Sequence, residues 1–169
     1  MKDARLGYGE HIVPLKAPID SAATAYATPY VNLKDALHCT FVAYFGVVTA
    51  TSADQAVILT VEASTSTTSN ATEVQIPFKY RKSGATGTDT WGAVTAATAA
   101  GGLSVATDAD GSMYLIDVDP AVIEATHGSR DAKFVRLVVG IDAGGTVTLN
   151  SIHAVLDPAY PQTSHLSAS

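Results

Sequence analysis

Cysteine occurs once in the chain, at Cys39, and that alone excludes an intrachain disulfide framework and a thiolate zinc site. Charge is scarce too: Asp, Glu, Lys and Arg make up 15% of the 169 residues. No run approaches the roughly 18 apolar residues that a membrane-spanning helix needs, so no membrane is expected as a partner. The 10 Lys+Arg are scattered and the net charge is −6. Nucleic acid demands clustered cations against its phosphates and is not expected as a partner. The N-terminus, Met1-Lys2-Asp3-Ala4-Arg5, is followed by glycines and a Glu and not by an apolar stretch, so no signal peptide is expected and synthesis in a cytoplasm is. The sequon Asn70-Ala71-Thr72 then carries no meaning.

What fills the chain is Ala, Val, Thr, Ser and 13 glycines, within a hydrophobic fraction of 47%. Small and β-branched residues punctuated by Gly suit pleated strands and tight turns. The period bears this out. From Ala36 to Phe45, the residues Leu37, Cys39, Phe41, Ala43 and Phe45 share one face, against His38, Thr40, Val42 and Tyr44. From Ala56 to Ser64, Val57, Leu59, Val61 and Ala63 oppose Ile58, Thr60 and Glu62. From Glu73 to Arg81, Val74, Ile76, Phe78 and Tyr80 oppose Gln75, Lys79 and Arg81. Alternation of this kind marks half-buried antiparallel strands, and Pro77, which lacks a ladder donor, predicts an edge or a bulge. Further strands are expected over 103–107, 112–118, 133–141 and 146–156, with Asp142-Ala143-Gly144-Gly145 as a hairpin turn between the last two. Asp119 as N-cap, Pro120 at the first position and Glu124 in the first turn predict one short helix, ended by Gly128. Seven or eight strands at this spacing imply an all-β fold: an antiparallel two-sheet β-sandwich of jelly-roll-like kind over residues 27–157. The expected core includes Phe41, Leu59, Val61, Phe78, Leu115, Leu137, Val139 and Leu149, with Cys39 as a buried free thiol.

Residues 1–26 have no sustained period and read as an extended N-terminal arm; residues 158–169 read as a C-terminal tail. The arm nevertheless holds Leu6, Tyr8, Ile12, Val13, Leu15 and Ile19, more apolar side chains than a solvated tail usually carries. These six, with Trp91 in a Gly/Thr loop, are the candidate partner-binding residues. The arm is expected to order on a neighbouring subunit or shell, the alternative being that it packs back on its own sandwich.

Catalytic signatures are missing, and no enzyme activity, cofactor or metal is expected. No Ser sits in a Gly-x-Ser-x-Gly elbow, and no glycine-rich phosphate loop ends in Lys-Ser/Thr. Of five histidines, only His38 and His153 fall in strands, with no second ligand at i+2 or i+4. Asp108-Ala109-Asp110-Gly111 resembles the opening of a calcium loop, but Val118 and Asp119 occupy the last two loop positions and the distal Glu is missing. A polar turn is the simpler reading.

The order of segments carries a resemblance. Thr28-Pro29-Tyr30-Val31-Asn32-Leu33-Lys34-Asp35, an alternating aromatic strand and Ala56 to Ser64 come first. Phe78-Lys79-Tyr80-Arg81, a Thr/Gly loop around Asp89-Thr90-Trp91 and Tyr114-Leu115-Ile116-Asp117-Val118-Asp119 follow. An Arg136-bearing strand and Leu156-Asp157-Pro158-Ala159-Tyr160 close the series. Over residues 28–160 this resembles the small β-sandwich decoration, or cement, proteins of tailed-phage heads. The resemblance implies a virion protein on the capsid surface, bound to the major capsid protein, commonly as a homotrimer, that stabilises the shell. The alternatives are a carbohydrate- or receptor-binding module, with Trp91 and Tyr80 as stacking residues, or another virion component of neck, tail or fibre base.

Overall fold

The structure is a computed structural model, and it describes residues 10–19, 24–49, 57–68, 72–84, 86–105, 110–141 and 146–159. Among the described residues twelve strands and one helix follow in order: β1 (His11–Ile19), β2 (Tyr26–Ala27), β3 (Val31–Asn32), β4 (Ala36–Thr49), β5 (Val57–Ser64), β6 (Val74–Ile76), β7 (Phe78–Lys82), β8 (Thr95–Ala97), β9 (Leu103–Val105), β10 (Ser112–Val118), α1 (Pro120–His127), β11 (Phe134–Ile141) and β12 (Thr146–Pro158). They form two antiparallel sheets, as the alternation predicts. The first has six strands in the order β1-β12-β4-β10-β7-β8. The second runs β2-β11-β5-β6, with β3 also on β11 and β9 also on β5.

The core lies between the sheets. Cys39, Phe41, Ala43 and Phe45 of β4, Ile152, Ala154 and Leu156 of β12, and Tyr114, Ile116 and Val118 of β10 face Leu59 and Val61 of β5 and Leu137 and Val139 of β11, all buried. Phe78 is buried beside them. Ile123 drops from α1 into the same cluster, and the helix packs against β5 and β6. Its ends are built as the sequence implies: the Asp119 side chain accepts from the Ala121 N–H, and Gly128 takes a left-handed φ of 72° and donates to the Glu124 carbonyl. Glu124 lies beyond the first turn and pairs with Arg130. Gly102 is needed by geometry as well. At φ 59° it runs so close to β5 that a Cβ would collide with the Leu59 carbonyl oxygen.

Several expectations are corrected. Pro77 is not a bulge: it directly follows β6, the edge strand of the second sheet, at the corner where the chain leaves that sheet for the first (β7). Proline, unable to donate to either ladder, suits that corner. The expected turn at 142–145 lies outside the described residues, but the strands that flank it, β11 and β12, belong to different sheets and are not paired as a hairpin. The chain crosses between sheets repeatedly, which is the jelly-roll-like habit. The Ala- and Thr-rich stretch after Trp91, for which no strand is expected, contributes β8 (Thr95–Ala97). Of the expected arm, residues 1–9 and 20–23 lie outside the described residues, and His11–Ile19 is a paired strand of the sandwich, in antiparallel register with β12 from His11↔Leu156 to Ile19↔Asn150. Two register shifts around Lys16 explain why no clean period shows there. Leu115 is the clearest miss in the core list. In β10 the buried residues are Ser112, Tyr114, Ile116 and Val118, which turns Leu115 to the outer face, where it is half-buried. The run Met113-Tyr114-Leu115-Ile116 is apolar on both parities, so the sequence does not say which set points in. The Leu149 side chain lies outside the described residues.

The inversion of β10 yields a sharp test. Ile116→Ala is expected to cost about 2–5 kcal/mol, as buried truncations do, whereas Leu115→Ala should cost less than about 1 kcal/mol. Chemical denaturation of the two variants side by side measures both; equal losses would refute the register.

Candidate functional site: the outer face of the six-stranded sheet

A sandwich whose outer faces meet water should carry polar side chains there. The outer face of the six-stranded sheet does not follow that rule. Three registered rows cross it. The first runs Ile12–Val155–Thr40–Asp117–Lys79–Ala96. The second runs Pro14–His153–Val42–Leu115–Arg81, and the third Ser151–Tyr44–Met113. Val42 and Leu115, with Tyr44 and Met113 in the next row, thus form an apolar centre of two registered pairs, all half-buried, while Val155, also half-buried, pairs with Ile12, exposed at 47%, on the far side of Thr40 and His153. Val94, 51% exposed, borders the far side. A recess of about 310 Å³ opens there between Thr40, Arg81, Val94 and Leu115. It abuts a second recess, of about 300 Å³, at the end of the sheet between His38, Pro77, Phe78 and Val122; Lys79 and Asp117 line both.

Charge is placed at the margins of this face. Lys79 and Arg81, both exposed, stand on β7, and Asp157, exposed, stands on β12. Glu10, just before β1 and with the parity of Ile12, adds a second exposed carboxylate at the β12 side. Between them His38 holds its Nε2 3.3 Å from Asp117 Oδ1 and its Nδ1 3.2 Å from the Val118 carbonyl oxygen. The Thr40 hydroxyl donates to Asp117 at 3.3 Å.

The second sheet treats its polar residues differently. Arg136 on β11 places Nη2 2.8 Å from Glu62 Oε2 and 2.7 Å from Glu73 Oε1, and its guanidinium lies 4.8 Å over the Tyr30 ring. The Tyr30 hydroxyl donates to Glu73. One cation between two largely buried carboxylates clamps β11, β5, the lead into β6 and the segment before β3. Every polar group in it is engaged, so it reads as structure. Tyr26 closes the opposite edge, donating to the buried Asn150 while Lys16 Nζ sits 4.7 Å from its ring.

The candidate residues scatter. Ile12 lies on the outer face. Leu15 is buried at 7% in the chain's own core and Val13 packs against that core, so both are used internally. Ile19 lies in β1, and its side chain, like all of Leu6 and Tyr8, falls outside the described residues. Trp91 is 41% exposed on a hairpin that leaves β7, its backbone bridged to Ser83. Tyr80 is no free stacking platform: its ring packs between Phe78, at 6.5 Å, and Tyr114, at 6.4 Å. Asp110 accepts from the Val48 N–H at 2.7 Å, a turn-fixing role, while Asp108 lies outside the described residues. Among the described residues no three His, Cys, Asp or Glu side chains converge on a metal position, and no helix is long and apolar enough to cross a membrane. The outer face itself was missed, because Val42, Leu115 and Val155 sit on the parity that the alternation assigns to water or, for Leu115, to the core. Comparison with protein-family models, curated proteins and solved structures finds no match.

Cys39, fully buried, has its thiol pushed up to about 12 by burial and by the nearby Asp117 charge. Tyr26 is raised to about 12 by burial, and Tyr30 likewise by burial and its bond to Glu73. Groups held neutral in the fold contribute stability below their ordinary pKa values and lose it as pH rises toward 12. The melting temperature is expected to hold from pH 7 to about 9 and to fall above it. At pH 8 Cys39 should react with a thiol reagent only on unfolding; prompt modification of the native protein would contradict the burial.

Proposed function

We propose that the chain is a structural protein of a virion that binds and stabilises a preformed phage capsid, working through protein–protein contact and not through chemistry on a bound small molecule. The observation that carries this reading is the apolar centre of the outer face, framed by charge and presented on a rigid six-stranded sheet. Exposed apolar patches rimmed by polar residues mark protein interaction surfaces, and Tyr and Met, found at its centre, are enriched in such interfaces. The resemblance of the segment order to that of phage decoration proteins is what points to the major capsid protein as the partner and to the capsid surface as the site of action. A protein that binds the assembled shell and not its free subunits stabilises the shell by mass action. The glycan-binding alternative rests on Trp91, since Tyr80 is committed to its aromatic neighbours.

Cosedimentation of the full chain with purified capsids lacking it tests the proposal. Saturable pelleting, a raised capsid disruption temperature and indifference to free sugars are expected. A chain that stays in the supernatant contradicts the shell reading, and glycan binding that disappears in Trp91→Ala would favour the alternative.

A further inference from the structure

Cations are few in this chain, and most of those described are committed. Arg136 lies between Glu62 and Glu73, Arg130 pairs with Glu124, and Lys16 sits over the Tyr26 ring. Lys79 and Arg81 differ. Both are exposed on β7, and among the described residues neither has a carboxylate in ion-pair contact. Arg81 closes the row Pro14–His153–Val42–Leu115, which holds no acid. Lys79 is registered with Asp117, but the Asp117 Oδ1 is approached by His38 Nε2 and the Thr40 hydroxyl, each at 3.3 Å. In a protein of net charge −6, two unpaired cations two residues apart on one strand face are a local exception.

These cations stand over apolar hollows. The recess of about 310 Å³ has Arg81 at its rim with Val94 and Leu115 as its apolar walls. The recess of about 300 Å³ beyond it has Pro77 and Val122 among its walls, and Lys79 lines both. The two form one groove along β7, from Arg81 to Pro77, four residues or about 13 Å of extended chain. An extended peptide repeats its side chains on one side every two residues, about 7 Å, which matches one side chain to each recess.

We propose that this groove seats a short, extended, acidic segment of the shell protein, with alternate apolar side chains in the two recesses and a carboxylate on Arg81, Lys79 beside it. The inference rests on the shell-binding reading and names the chemistry of the partner at one part of that face. Arginine presents a planar fork that takes a carboxylate through two hydrogen bonds, so Arg81 carries more of the recognition than Lys79. A basic or neutral segment would cover Arg81 and leave it unpaired, which selects against such partners.

The test is cosedimentation of the full chain with purified capsids lacking it, at low and at moderate salt. Wild-type affinity is expected to fall as salt rises. Lys79→Glu/Arg81→Glu is expected to bind about tenfold more weakly or worse and to lose that fall. Ala96→Phe, which adds bulk at the Pro77 recess without changing charge, is expected to weaken binding several-fold. Lys34→Glu/Lys133→Glu makes the same charge change in a recess beside α1, away from the face, and is expected to bind as the wild type does. All five positions are exposed, so each variant should keep the wild-type circular dichroism and melting temperature. A wild type that pellets while Lys79→Glu/Arg81→Glu pellets equally well at every salt overturns this inference and leaves the shell reading standing. So does a loss shared equally by Lys34→Glu/Lys133→Glu, or an Ala96→Phe that binds normally. A wild type that never pellets overturns both.

Discussion

The register of β4 between β10 and β12 is the constraint on which the rest of the molecule depends. Side chains of a paired strand alternate faces, and a slip of one residue exchanges the two sets. With Cys39↔Val118 on one side and Cys39↔Leu156 on the other, every inward residue of three adjacent strands joins one buried layer, and every outward residue joins one surface. Phe41, Phe45, Ile116, Ile152 and Leu156 are the inner product of that register; Val42, Tyr44, Leu115, Met113 and Val155 are the outer one. The core and the proposed contact face are therefore two consequences of the same pairing. Neither can be altered by a register shift without destroying the other.

This coupling explains why the two faces are so alike in composition. In a sheet solvated on one side, the outer parity resists slippage by being polar. Here both parities of β4 and β10 are apolar along much of their length, so register is held by other means: inward aromatic bulk, with Phe45 edge-on to Tyr114 at 5.9 Å, and cross-strand polar pairs such as Thr40–Asp117. An apolar outer parity is costly to leave in water and lowers negative design against misregister. Coverage by protein removes that cost.

The sequence made the fold class legible because alternation survives wherever one face is buried and the other is not. β5 and the middle of β4, from Cys39 to Phe45, read correctly for that reason, whereas Leu37, on the same parity, lies beyond the core and is exposed; the helix read correctly because Asp119, Pro120 and Gly128 mark its ends chemically. Legibility failed where a second constraint overrode the period. β10 is apolar on both parities, so Leu115 and Ile116 could not be ranked. β1 carries two register shifts and two prolines, so a paired strand looked like an arm. The strand pairings over Pro77 and over 142–145 depend on which sheet the chain enters, a long-range choice with no local signature. The contact face was invisible for a related reason: it is assembled from alternate residues of five strands that are distant in sequence, and only their registration makes a patch.

Met113 offers the most direct probe of whether protein covers that face, since it lies at the apolar centre and its thioether reports access to oxidant. Its rate of peroxide oxidation, read by peptide mass spectrometry against free methionine in the same sample, should be compared between the free and the capsid-bound protein. A covered face predicts several-fold slower oxidation of Met113 on the capsid than off it. Equal rates on and off the capsid would contradict the claim that the outer face of the six-stranded sheet is a protein contact.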